Sequence, residues 1–132
     1  MFDSSHFLIP LEARKALAVG ESEWALEEIQ GLFTTLGGEV LEKVIVPIRK
    51  IDAGTYLGAG KLQELADKMV ALGVDVLLMD FDLSPSQLKN MQAVVKGLVL
   101  DRSGIILEIF SRHARSKEAK LQVESARLQY LM

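Results

Sequence analysis

At 132 residues, with 49% hydrophobic and 25% charged side chains, the chain has a globular balance and enough length to bury a core unaided. It contains no cysteine, which excludes disulfides and thiolate metal sites and suits an intracellular setting. A net charge of −3 argues against a general nucleic-acid coat, no apolar run reaches membrane-spanning length, and Met1 to Pro10 lacks the basic start of a secretory signal.

Residues 1–14 read as an N-terminal tail. Lys15 to Val19 is a short apolar run closed by Gly20, the pattern of a buried strand. Ser22 can cap the next segment, where Ala25, Ile29, Leu32, Phe33 and Leu36 recur at helical spacing until Gly37-Gly38. Trp24, near the start of that helix, is expected to be partly in the core. Val40 to Val46 is rich in β-branched residues and stops at Pro47, so it reads as a second strand.

Leu62, Leu65, Ala66 and Met69 mark a second helix ended by Gly73, and Asp75 to Met79 a third strand. Ser84-Pro-Ser-Gln87 is a capping-box signature, with Pro85 suited to the first helical turn. That helix turns Leu88, Met91 and Val95 inward and breaks at Gly97. Leu98 to Leu100 makes a fourth strand, and Asp101 or Ser103 caps a last helix. Strand and helix alternate four times, with strands apolar throughout. An α/β fold follows: a four-stranded, mostly parallel sheet over residues 15–102 with helices on both faces, its strand order not legible.

Residues 103–132 read as one long helix, because neither glycine nor proline follows Gly104. At roughly 100° per residue, Ala119, Val123, Ala126 and Tyr130 share one stripe. Ala114, Leu121, Leu128 and Met132 share another, almost opposite. Two opposed stripes ask for cover on both sides, from a following helix, from the same domain, or from a second copy. Arg112, Arg115, Lys117, Lys120 and Arg127 stand against Glu118 and Glu124, a local charge of +3, so the remainder carries −6. Such a cluster is either a solvated face or a contact for RNA phosphates.

The chemistry on offer is sparse. Asp80 and Asp82 after strand three, and Asp101 after strand four, sit where open parallel sheets bind ligands. They are weak candidates for a magnesium site, because carboxylates at strand-to-helix turns also serve as helix caps. Gly54 to Lys61 is a candidate anion or nucleotide cradle, with Gly58, Gly60 and Lys61 ahead of a helix, or equally a structural turn that lets Tyr56 pack. It is not a Walker A loop: Thr55 stands where the first glycine belongs and Leu62 replaces the metal-binding hydroxyl. His6 and His113 have no acid or serine partner at catalytic spacing, so no catalytic residue is assigned.

Five blocks then occur in order: Thr55 to Lys61, Asp80 to Asn90, Val99 to Arg102, Ile109 to Arg115, and Lys120 to Glu124. Together they resemble the N-terminal domain of the HflX-type GTPases, ribosome-associated factors of the P-loop class. The resemblance covers roughly residues 15 to 132 and implies an α/β subdomain leading into a helical hairpin, of which residues 103–132 would be the first arm. A GTPase domain would follow, and GTP with magnesium would bind there, so this chain would carry no cofactor and no hydrolase activity of its own. The resemblance further implies a cytoplasmic protein that docks on rRNA of the large ribosomal subunit in splitting or rescue, with no membrane partner. Adenine-nucleotide binding, credited to some members, would fall at Gly58, Gly60 and Lys61. Arg112, Arg115, Lys117 and Lys120 would be the RNA contacts. Two other readings compete: a stand-alone nucleotide-binding or phosphoryl-transfer domain, and a structural domain that self-associates through its last helix.

Overall fold

A computed structural model of the chain describes residues 14–48, 50–113 and 130. Its elements are β1 (Lys15–Gly20), α1 (Glu23–Thr35), β2 (Glu39–Ile45), α2 (Ala59–Leu72), β3 (Val76–Met79), α3 (Pro85–Val94), β4 (Leu98–Asp101) and α4 (Arg102–His113). The strands form one parallel sheet in the order β2-β1-β3-β4. β1 and β3 are central and covered on both faces, which is why Ala16 to Gly20 and Val76 to Met79 are buried without a break.

The chain steps from β1 to β2 in one direction, then from β2 to β3 and from β3 to β4 in the other. Right-handed crossovers therefore put α1 on one face and α2 and α3 on the opposite face. Two cores follow. Leu17, Val19, Leu77 and Met79 pack with Leu62, Leu65 and Met69 of α2 and with Leu88 and Met91 of α3. Ala16, Ala18, Val76 and Leu78 pack with Leu26, Ile29 and Phe33 of α1 and with Ile105 of α4.

The expected caps are present. Ser22 accepts from the Ala25 N–H at 3.2 Å. Ser84 and Gln87 form the reciprocal box, with bonds of 2.9 and 3.1 Å. Gly73 closes α2 in the left-handed conformation. In α1, Gly31 has a helical backbone and open space where a Cβ would stand. Gly31→Ala is therefore expected to stabilise the domain by about 0.5–1 kcal/mol, read as a raised denaturant midpoint.

One expectation changes. Trp24 is 69% exposed and takes no part in the core. The buried stripe of α1 runs through Leu26, Ile29 and Phe33, and at roughly 100° per residue Trp24 points away from it. The C-terminal helix is present as α4. The Tyr130 hydroxyl bonds the Asp101 carboxylate, and the ring packs so closely that a Cβ on Gly104 would fall 2.7 Å from the hydroxyl. The hairpin arm, and most of both stripes with the self-association they imply, lie outside the described residues.

Both sheet edges are protected against further pairing. On β4, the Val99 N–H donates to the Gln92 side chain at 2.9 Å, and the Asp101 N–H to the Tyr130 hydroxyl at 3.3 Å. β2 carries Glu39, Glu42 and Lys43, and its register shifts opposite Ala16 and Leu17. No helix among the described residues is long and apolar enough to cross a membrane.

Candidate functional site

The direction of strand addition reverses between β1 and β3. In an open parallel sheet that reversal leaves a crevice at the carboxyl ends of the two strands, because the following segments part to opposite faces. Here it is a cleft of about 470 Å³, bounded by Glu21 and Trp24 after β1, Asp80 and Asp82 after β3, Arg102 after β4, and Tyr56. The Asp80 N–H donates to the Val19 carbonyl at 2.8 Å, so the two strands hold their register to the last residue. Arg102 crosses the mouth, its Nε 3.2 Å from Asp80 Oδ1 and an Nη 3.3 Å from the Asp80 carbonyl. The bond to Asp80 raises the Arg102 pKa, against desolvation and with help from the charges of Asp80, Asp82 and Glu28.

One wall of the cleft is a clamped turn. Asp52 and Tyr56 exchange two backbone hydrogen bonds of 2.9 Å. Asp52 Oδ1 accepts from the N–H groups of Gly54 and Thr55, both at 2.8 Å, and these bonds hold its carboxyl below the usual value. From α3, Gln87 donates to the Asp52 carbonyl and Asn90 to the Gly54 carbonyl, each at 2.9 Å. The closed turn sets Tyr56 at φ 66°, a left-handed conformation costly for a bulky residue. The ring lands on Phe81 with centroids 4.9 Å apart. Burial raises the Tyr56 pKa, and the charges of Glu21 and Asp82 raise it further while Arg102 opposes them.

The turn delivers the chain to α2. Gly58 sits at φ 90°, where a side chain would be strained, and the helix begins at the next residue. Gly60 and Lys61, read as loop from the sequence, thus lie in the first turn of α2. No side chain caps this helix, unlike α1 and α3, so its first N–H groups face outward as donors. Lys61 Nζ lies 3.4 Å from Glu64 Oε1, an exposed pair that leaves the ammonium able to turn to an anion.

Comparison with known proteins decides the family. The family described as GTP-binding GTPase N-terminal matches residues 23–111. The chain belongs to that family, in its HflX form. A GTPase HflX of Escherichia coli (strain K12) is 42% identical over 107 residues, covering 80% of this chain and 25% of the relative. That of Lacrimispora saccharolytica is 39% identical over 118 residues, covering 87% of this chain and 28% of the relative. The chain thus spans little more than a quarter of these relatives. Among solved structures, SsGBP in complex with GDP superposes with a TM-score of 0.74 at 31% identity, covering 89% of this chain and 35% of that one. A GTP-binding protein of the archaeon Sulfolobus solfataricus, also with GDP, gives 0.71 at 32% identity, covering 88% and 36%.

Within this HflX-type domain the candidate residues do not gather into one site. Gly58, Gly60 and Lys61 stay together at the start of α2. Asp80 and Asp82 face the cleft, whereas Asp101 is 1% exposed and turned to its own partners. Its carboxylate accepts from the Leu83 N–H at 3.2 Å, the Gly104 N–H at 3.0 Å and the Tyr130 hydroxyl. The three aspartates therefore form no ligand set, and among the described residues no group of three His, Asp or Glu side chains does. Arg112 is half-buried on α4, while Arg115, Lys117 and Lys120 lie outside the described residues. Sequence reasoning missed Arg102 and the Gln87 and Asn90 clamps. Only Gln87 carried a local signal, and that signal was its cap.

Proposed function

We propose that this chain is the domain through which an HflX-type GTPase docks on rRNA of the large ribosomal subunit. The observation that carries the reading is the uncapped start of α2, held on a clamped turn and presenting Gly58, Gly60 and Lys61. Backbone donors at a helix N-terminus with a nearby ammonium suit a backbone phosphate, and they position without reading sequence. Arg112, Arg115, Lys117 and Lys120 would add phosphate contacts from the C-terminal segment. GTP and magnesium would bind in the GTPase domain of the parent, the hydrolase that acts in ribosome splitting or rescue in the cytoplasm. Membership of the GTP-binding GTPase N-terminal family supports this assignment.

Cosedimentation of the full-length parent with large subunits at several salt concentrations tests the reading. Lys61→Ala is expected to weaken binding and to reduce the slope of log K against log salt by about 1. A parent that fails to sediment in every nucleotide state, or a Lys61→Ala slope equal to that of the unaltered protein, would overturn it.

A further inference from the structure

The cleft between β1 and β3 has the opposite character to the start of α2. Among the described residues, Glu21, Asp80 and Asp82 face it with a single cation, Arg102, which already bonds Asp80. The unbalanced carboxylates are Glu21 and Asp82, both exposed and both close enough to Tyr56 to disfavour its ionisation. Above them stand two large apolar side chains outside the core: Trp24, 69% exposed, and Ile51, 54% exposed. The Trp24 position does not follow from core packing, since α1 buries its other face. Tyr56 on Phe81 makes an aromatic floor held rigid by the clamped turn.

Each class of occupant can be weighed against this lining. A phosphate would meet two uncompensated carboxylates. A neutral apolar segment would cover Trp24 and Ile51 but desolvate Glu21 and Asp82 without a partner. A guanidinium or ammonium satisfies both halves, lying on the electron-rich face of an aromatic ring while its N–H groups bond carboxylate. The adjacent N-terminus of α1 is no obstacle, because Ser22 caps it and Glu23 adds negative charge to its first turn.

We propose that this cleft binds an arginine or lysine side chain from a basic segment of a partner protein, the cation resting on Trp24 between Glu21 and Asp82. Charge complementarity selects that occupant over a nucleic acid. The inference stands apart from rRNA docking, since it uses another surface and ligands of opposite charge.

Trp24 is the sole tryptophan of the chain, so its emission reports occupancy directly. The full chain is titrated at fixed salt with a short arginine- and lysine-rich peptide, its glutamate-substituted counterpart, and a single-stranded RNA oligonucleotide. The basic peptide is expected to change the emission saturably, and the acidic peptide and the RNA to leave it unchanged. Asp82→Asn and Glu21→Gln, at exposed positions, should each weaken the basic peptide by about two- to five-fold while leaving circular dichroism unaltered. No response to the basic peptide up to ~1 mM would overturn the proposal. So would an equal response to the acidic peptide, a stronger response to RNA, or undiminished affinity in both variants.

Discussion

Gly97→Ala is expected to destabilise the domain by about 2–3 kcal/mol, a loss measurable by urea denaturation. Gly97 stands just before β4, and a Cβ there would lie 2.3 Å from the Asp75 carbonyl oxygen and 2.8 Å from its carbon. Those atoms are backbone and cannot swing aside. The Asp75 oxygen also accepts from the Leu98 N–H at 2.9 Å, and the Asp75 N–H donates to Lys15 at 3.2 Å. Relieving the clash therefore pulls apart the start of β4, β3 and β1 together. The opposite sign expected for Gly31→Ala makes the pair a control, since both exchange the same atoms. Equal midpoints for the two variants would refute this account of the β3–β4 entry.

Asp101→Ala is expected to cost about 3–5 kcal/mol, because it strands several buried donors at once. The Leu83 and Gly104 N–H groups and the Tyr130 hydroxyl all converge on this carboxylate. Tyr130→Phe removes one donor to the carboxylate and the acceptor of the Asp101 N–H, and should cost about 1–2 kcal/mol, less when Asp101 is already alanine. Absence of coupling between the two sites would show that Tyr130 does not hold this position.

The same contact sets an alkaline limit. Burial, followed by the bond to Asp101 and its charge, raises the Tyr130 pKa well above that of a free tyrosine. Neutral Tyr130 thus stabilises the fold fully below about pH 10. Above it the unfolded chain loses a proton that the folded chain keeps, so stability falls as pH rises. Phenolate absorbance checks this directly, since Tyr56 and Tyr130 are the two tyrosines and both pKa values are raised.

Much of the architecture was legible because it rests on local rules. The apolar runs of β1 and β3 mark strands covered on both faces, and the Ser84–Gln87 box depends only on residues three apart. The ordered blocks from Thr55 to Glu124 carried the family, which the match over residues 23–111 bears out. Gly58, Gly60 and Lys61 could be named together because they are neighbours in sequence.

What stayed hidden depends on contacts between distant residues. The order β2-β1-β3-β4 reflects pairing across the whole chain, and the cleft exists only because that order reverses. Gln87 and Asn90 reach back 35 and 36 residues to hold the turn that carries Tyr56, and no spacing rule announces such a bond. Asp80 and Asp101 look alike in sequence, each at a strand end. One pairs with Arg102 at a cleft, and the other is sealed beneath Tyr130. Periodicity and capping are properties of neighbours, so sequence determined the elements and their family. Burial and charge balance belong to the assembled sheet, so only the tertiary structure decided which carboxylates face solvent and which are structural.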